Sequence, residues 1–250
     1  MIKQYVKCQE PIGSESLKIS LEGKISSATI RNYFKILGQE GVIVQTHISS
    51  GRIPTDLALR NYWRELLSPA NLMPHINTAR LHALCNDFRL TCVIKPIDPQ
   101  KLLRVLEVEQ STLVLVFERD CVAIPFTPSM ARFTQELIGV QSDDIQKIAS
   151  DVCAKSLSQA LKALDSAADV YFFGLSFLCS LLEDCSQTAL KVLQGEMFGL
   201  LDDVVFFPQS SQHIIIAHRA TFQDKQAKML CIGRLNQDYE GFYEALQDVS

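Results

Sequence analysis

Residues 25–55 read ISSATIRNYFKILGQEGVIVQTHISSGRIPT, and this segment sets the expectations for the rest of the chain. Its first half predicts a short helix, because Ser26 and Ser27 offer hydroxyl groups to the unpaired amides of a helix start. Apolar side chains then recur at i, i+4 and i+7, which is one face of a helix with 3.6 residues per turn. They are Ile30, Phe34 and Leu37.

The opposite face of this helix is polar and cationic. With Ile30 at zero, two cations, an alanine and an asparagine fall between about 100° and 200° around the helix axis. An arginine can bind guanine through two hydrogen bonds, an asparagine can do the same to adenine, and an alanine permits close approach. The pattern is typical of a helix that enters the major groove of double-stranded DNA. Its candidate contact residues are Ser27, Ala28, Thr29, Arg31, Asn32 and Lys35.

The second half of the segment predicts a small hairpin. After the glycines of Gly38–Gly41, the β-branched run 42–45 is of strand length, and residues 52–54 return as a second strand that Pro54 keeps short. The loop between them carries hydrogen-bond donors and one cation, which suit a DNA phosphate or the minor groove. This loop is the expected wing of a winged helix, with His47, Ser49, Ser50, Gly51 and Arg52 as its candidate contacts.

Two shorter helices are expected before this segment and one after it. Residues 2–6 resemble the end of a clipped first helix, and Ser14–Ser20 a second, so the segment's helix is the third of a helix-turn-helix layout. Thr55 and Asp56 then cap a fourth helix, whose apolar stripe we take as Leu59, Trp63, Leu66 and Leu67. Arg60 and Arg64 are expected to face outward, with Trp63 in a core.

The composition of the chain limits the classes of protein to which it can belong. Residues 1–67 carry nine Lys and Arg against six Asp and Glu, and the remainder fifteen against twenty-two, which favours a polyanionic partner for the first part. The eight cysteines form no C-x-x-C pair and no signal peptide opens the chain, so we expect a reduced, cytoplasmic protein with most thiols in apolar surroundings. No apolar run approaches the roughly 18 residues that span a bilayer.

The remaining residues alternate helical and strand patterns, which predicts an α+β fold with an antiparallel sheet. The expected helices are Met73–Phe88, Pro99–Val108, Ser142–Ala168, Ser176–Leu193 and Tyr239–Val249. The expected strands are Leu90–Ile94, Leu113–Glu118, Val122–Ile124, Val170–Phe173, Asp203–Phe207, His213–Ala217 and Lys228–Gly233.

The sequence predicts no catalytic or metal-binding constellation. His213 and His218 are separated by an odd number of positions on a strand and so point to opposite faces, and His82 with Cys85 is no more persuasive. Neighbouring carboxylates such as Asp143–Asp144 and Asp202–Asp203 suit helix starts or loops better than an acid/base pair. No phosphate-loop, dinucleotide or nucleophile-elbow motif occurs. We therefore expect no enzyme activity, metal or cofactor.

Three blocks in fixed order carry a family resemblance: PIGS at 11–14, ISSATIRN at 25–32 and SGRIPT at 50–55. Together they resemble the bacterial heat-inducible transcription repressors of the HrcA family, and GEMF at 195–198 is similar to a later landmark. The sequence departs from the family pattern at Tyr33, where an acidic residue is usual, and after Gly233. The resemblance implies a winged helix in residues 1–67, a GAF-like domain in 72–132 and 194–250, and an inserted dimerisation segment in 133–193.

The resemblance also implies a function. We expect a homodimeric repressor of chaperone operons that binds an inverted-repeat operator and depends on the GroE chaperonin for its folded state. An alternative is a DNA-binding regulator whose GAF-like part senses a small molecule, and stabilisation by a metabolite without an effect of chaperonin would distinguish it. A third alternative, a hydrolase with a DNA-binding head, has no nucleophile and base at recognisable spacing.

Overall fold

The structure is a computed structural model, and it describes residues 1–47, 51–165, 170–195, 197–198, 203–206 and 212–247. The chain divides into two compact units. The first joins Met1–Lys95 to Val170–Ser250, and the second is Pro96–Asp169. Within the first unit we call residues 1–67 the head and residues 72–95 with 170–250 the body.

The head is built from four helices and one short pair of strands. In chain order these are α1 Ile2–Cys8, α2 Ser14–Ser20, α3 Ser27–Gln39, β1 Ile43–Val44, β2 Ile53–Pro54 and α4 Asp56–Leu66. The sequence predicted each of these elements and two of the helix caps. The hydroxyl groups of Ser26 and Thr55 accept hydrogen bonds from the backbone amides of Thr29 and Ala58, respectively. A small core holds α2, α3 and β1 together, consisting of Ile12, Leu17, Ile30, Phe34 and Ile43.

A six-stranded sheet forms the centre of the body. Its strands are β3 His75–Ile76, β4 Thr91–Pro96, β8 Tyr171–Phe173, β9 Asp203–Phe206, β10 His213–Phe222 and β11 Lys225–Arg234. They follow the order β3-β10-β11-β4-β8, with β9 also paired to β10. Three helices accompany the sheet: α5 Thr78–Asp87, α9 Leu175–Leu193 and α10 Tyr239–Gln247.

Both faces of the sheet are buried, because apolar side chains of β10 alternate between them. Ile214 and Ile216 face a core shared with α5, α10 and the head helix α4, whereas Ile215 and Ala217 face a second core with α9. The first core contains Val6 and Trp63 from the head. Head and body are therefore joined by one continuous hydrophobic core.

The second unit is a three-stranded antiparallel sheet with helices against one face. It contains β5 Leu102–Val108, β6 Thr112–Phe117, β7 Cys121–Pro125, α6 Pro128–Glu136, α7 Ser142–Asp151 and α8 Lys155–Asp165. Alternate residues of β6, namely Leu113, Leu115 and Phe117, pack into the core with α7 and α8. The pairing of β6 with β7 confirms the strands predicted around Arg119 and Asp120. Asp143 and Asp144 lie in the first turn of α7, as expected.

Three expectations about secondary structure are wrong. Residues 102–108 form a strand paired with β6 instead of the helix predicted over Pro99–Val108. The single helix predicted over Ser142–Ala168 is two helices, because Cys153 adopts a left-handed φ of 55° between them, and residues 166–168 lie outside the described part. The helix expected from Met73 begins only at Thr78, since β3 precedes it.

The unit boundaries also differ from the segments implied by the resemblance. The second unit begins at Pro96, before the expected insertion of residues 133–193, and ends at Asp169, inside it. What each segment contributes to assembly stays a prediction. Among the described residues, no helix is both long and apolar enough to cross a membrane.

Candidate nucleic-acid interface

Helix α3 separates its side chains as the sequence predicted. Ile30 and Phe34 are buried in the small core of the head. The side chains on the other face are exposed, and Ser27 at the first turn is half-buried. The exposed candidates on α3 are Ala28, Thr29, Arg31, Asn32 and Lys35. A small residue, an amide and two cations are thus available to a partner on one helix face.

The side chain of Arg31 turns toward α2. Its Nε donates a hydrogen bond to Ser14 Oγ at 3.2 Å, and its Nη2 lies 3.8 Å from Glu15 Oε1. Arg31 therefore lies at the edge of the exposed face of α3, whereas Asn32 is on the open part. The sequence did not identify Ser14 or Glu15, because their contact with Arg31 depends on how α2 and α3 cross.

The base of the 45–52 loop is fixed to the turn between α1 and α2. The amide of Ile12 donates to the carbonyl of Arg52 at 2.9 Å, and the amide of Arg52 donates to the carbonyl of Ile12 at 2.8 Å. Gly51 permits this approach, since a Cβ on it would stand 2.5 Å from the carbonyl carbon of Ile12. The short strands β1 and β2 pair beside it, with Val44 opposite Ile53.

A cavity of about 250 Å³ lies where these elements meet. It is lined by Ile12, Gly13, Ser14, Arg31, Phe34, Gly51 and Arg52. The structure thus brings together Arg31, Gly51 and Arg52, three residues that the sequence placed on two separate surfaces. His47 is exposed in the loop, whereas Ser49 and Ser50 lie outside the described residues.

The two arginines of helix α4 differ in their exposure: Arg64 is exposed, as the sequence predicted, whereas Arg60 is half-buried. The guanidinium groups of Arg60 and Arg64 lie 5.5 and 5.1 Å from the ring centroid of Phe206 on β9. They therefore cover an aromatic ring of the body, as cations do when they stack on an aromatic face. Leu66, expected in the apolar stripe, is 43% exposed. Trp63 is fully buried, which confirms its expected place in a core.

The described histidines and cysteines do not form a metal site. His213 and His218 are both buried, and the Nδ1 atom of His218 is 2.8 Å from the carbonyl oxygen of Arg219. In the described ranges no three His, Cys, Asp or Glu side chains are placed to hold an ion. Four of the seven described cysteines are exposed, so the expectation that most are buried in apolar surroundings is wrong. The buried ones are Cys85, Cys92 and Cys231.

Helix-turn-helix transcription regulators contact DNA through an exposed polar helix face of this kind. A family model described as the HrcA C-terminal domain matches residues 63–250. The heat-inducible transcription repressor HrcA of Helicobacter pylori strain 26695 is 34% identical over 248 residues, covering 99% of this chain and 91% of that protein. The chain belongs to the HrcA family of heat-inducible transcription repressors.

Two further HrcA repressors are similar to this chain. The HrcA repressor of Helicobacter pylori strain J99 is 34% identical over 246 residues, with 98% of this chain and 91% of that protein covered. The HrcA repressor of Chlamydia pneumoniae is 55% identical over 58 residues, or 23% of this chain and 15% of that protein. A crystal structure titled only as a hypothetical protein covers 99% of this chain and 93% of its own, with 19% identity and a TM-score of 0.48.

Proposed function

We propose that this protein is a homodimeric repressor of chaperone operons that binds an inverted-repeat operator in double-stranded DNA through α3. One observation carries the proposal: α3 presents an alanine, an asparagine and a lysine to solvent from a face directly opposite its buried side chains. The relatives, which are heat-inducible transcription repressors, support the same function.

The head acts as a winged helix in this proposal. Helices α1 to α3 and the paired strands β1 and β2 occur in the order that such a fold requires, and α3 is the recognition helix. Asn32 would bind an adenine edge and Lys35 a guanine edge, while Ala28 lets the helix approach the bases. The loop with His47, Ser49, Ser50, Gly51 and Arg52 is the wing, which contacts the DNA backbone.

Two copies of the head are needed to bind an inverted repeat, because a two-fold symmetric site is matched by a two-fold symmetric dimer. The second unit offers apolar surface for self-association. Leu106 and Val108 of β5 are 48% and 44% exposed, and Leu106 pairs with Val114 on the sheet face opposite the helices. We assign the dimer contact to this unit. We propose that the body, with its central sheet, is the GAF-like domain.

The proposed dependence on the GroE chaperonin is supported by the shared core of head and body. Val6, Leu59 and Trp63 of the head pack with Tyr239 and Phe242 of α10. A chain whose body is unfolded therefore lacks apolar partners that hold α1 and α4. Chaperonin occupied by heat-damaged proteins would leave less folded repressor, and a difference of about 1–2 kcal/mol changes abundance several-fold. The folded, DNA-binding form is expected in the cytoplasm.

The ligand-sensing alternative has no specific support in the described part of the body. Large side chains fill the interior between β10, β11 and α10, each of them 1% exposed or less. They are Phe222, Met229, Tyr239 and Phe242.

The function is tested with the full chain and two duplexes, one carrying the inverted repeat from a chaperone promoter and one with the same bases scrambled. We expect the operator to bind about 10³-fold or more tightly, with two protomers per duplex. Chain diluted from denaturant should yield more operator-binding protein when chaperonin and ATP are present. Equal affinity for the two duplexes would contradict the DNA-binding function, and an unchanged yield would contradict the chaperonin dependence.

A further inference from the structure

We propose that the cavity between α2, α3 and the base of the wing is a clamp for one backbone phosphate of the bound DNA, held by Arg31 and Arg52 together. This inference rests on the proposed function and adds a site to it. It gives Arg31 a positioning role in place of the base contact that the sequence suggested.

The cavity has the chemistry of a phosphate site. Two guanidinium-bearing side chains and the hydroxyl of Ser14 line about 250 Å³. Arginine binds phosphate oxygens through paired, charge-assisted hydrogen bonds, which makes it the preferred partner of that group. The remaining described lining is glycine and apolar side chain, so no carboxylate stands among the lining residues that the structure describes.

The position of Arg52 is set by the backbone and not by its side chain. Both hydrogen bonds between Ile12 and Arg52 involve main-chain atoms, so the side chain can change without breaking them. Gly51 lets the backbone of the wing base approach the backbone of Pro11 and Ile12 to this distance. Arg52 therefore begins from a fixed point on the cavity wall.

The contact that Arg31 makes with Glu15 is one that a phosphate can replace. Its contact with Glu15 spans 3.8 Å between side chains that are 68% and 63% exposed, which is a weak pair in water. A phosphate in the cavity would take the Arg31 guanidinium from Glu15, while the hydroxyl of Ser14 stays within reach. Glu15 thus competes with DNA for Arg31, so its removal should strengthen DNA binding.

The first test compares single variants on operator and scrambled duplexes over a range of salt concentrations. Arg31→Gln and Arg52→Gln should each weaken both duplexes by the same factor and lower the salt slope by about one, because a phosphate contact carries no sequence information. Lys225→Gln on the body is the charge-matched control and should change neither quantity. An Arg31→Gln variant that weakens only the operator would overturn the clamp in favour of a base contact.

Glu15→Gln gives a gain that misfolding cannot imitate. We expect tighter binding to both duplexes, whereas Glu22→Gln, which removes the same charge from a carboxylate paired with Lys24, should leave binding unchanged. Equal effects of the two variants would contradict the competition by Glu15.

The second test locates the phosphate. In operators with single neutral methylphosphonate linkages, one linkage per half-site should weaken the wild-type protein as much as the combined Arg31→Gln and Arg52→Gln substitutions do, and should not weaken that double variant further. Inorganic phosphate should compete only at concentrations far above those of the operator. If the wild type prefers the operator but no single linkage behaves in this way, the phosphate clamp is wrong and the proposed function stands. If the wild type does not prefer the operator, the proposed function is contradicted.

Discussion

The indole Nε1 of Trp63 donates a hydrogen bond of 2.7 Å to the carbonyl oxygen of Leu235, a residue 172 positions away in the chain. The indole also meets the ring of Tyr239 edge to face, with centroids 5.1 Å apart. Nearby, Lys3 of α1 forms a salt bridge of 2.8 Å with Glu240 of α10. Two head helices are therefore attached to the C-terminal helix, and we expect head and body to unfold in one transition.

Trp63→Phe tests this attachment. The variant leaves the buried carbonyl of Leu235 without its donor, which costs about 1–3 kcal/mol. Urea unfolding followed by circular dichroism should show the shared transition of head and body at lower urea than in the wild type. Tyr33→Phe, at an exposed ring of α3, is the control and should stay within about 0.5 kcal/mol. A second, earlier transition of the head in the wild type would contradict the shared core.

Gly51→Ala and Gly38→Ala make a matched pair. A Cβ at position 51 would lie 2.5–2.7 Å from the backbone of Pro11 and Ile12, so the wing base must move and affinity for both duplexes should fall. At position 38 in α3 the nearest atom would be 3.9 Å away, and alanine should stabilise the helix by up to about 1 kcal/mol. Thermal unfolding and duplex binding measure the two effects. The prediction fails if Gly51→Ala binds both duplexes like the wild type.

The described cysteines should separate into two classes under a thiol-alkylating reagent. Burial raises the pKa of the Cys92 thiol well above its ordinary value, so less thiolate is present at any pH than for an exposed thiol. Cys85 and Cys231 are likewise buried, whereas four others are exposed. Mass spectrometry of native protein should find alkylation at Cys8, Cys121, Cys153 and Cys179 first. Early alkylation of Cys92 would mean that the core opens readily.

Stability should fall in alkaline solution. Burial raises the pKa of Cys92 well above 9.0 and those of Tyr239 and Tyr243 well above 10.0. The unfolded chain loses these protons at the ordinary pKa values of cysteine and tyrosine, whereas the folded chain still holds them. The free energy of unfolding is therefore unaffected below pH about 9 and decreases as the pH rises further. Urea midpoints from neutral to alkaline pH measure the loss, which Tyr243→Phe should reduce. Midpoints independent of pH above this range would refute the prediction.

The sequence predicted local structure in the head well, because its signals are local. The hydroxyl of Ser26 caps α3 and the spacing of Ile30 and Phe34 sets its buried face. Arg31 was harder, since its hydrogen bond to Ser14 depends on the packing of two helices. For the same reason the sequence could place Trp63 in a core without indicating Leu235 as its partner.

The error at β5 has a specific cause. The pairing with β6 shifts register between Leu102 and Arg104, and this irregularity interrupts the alternation by which a strand is recognised. Among the apolar residues of β5, Leu102, Val105 and Leu106 have the i, i+3, i+4 spacing of a helix. Only the non-local pairing with β6 decides for a strand. Arg60 of α4 is a similar case, because its stacking partner Phe206 belongs to a distant strand.

The most direct test of DNA recognition by α3 is the affinity of Asn32→Ala for the operator duplex and for the scrambled duplex. The matched control is Asn61→Ala, an exposed asparagine of α4. We predict that Asn32→Ala weakens operator binding by about 1–3 kcal/mol and leaves binding to the scrambled duplex unchanged, whereas Asn61→Ala changes neither. Equal losses on both duplexes, or no loss on the operator, would contradict recognition by this face of α3.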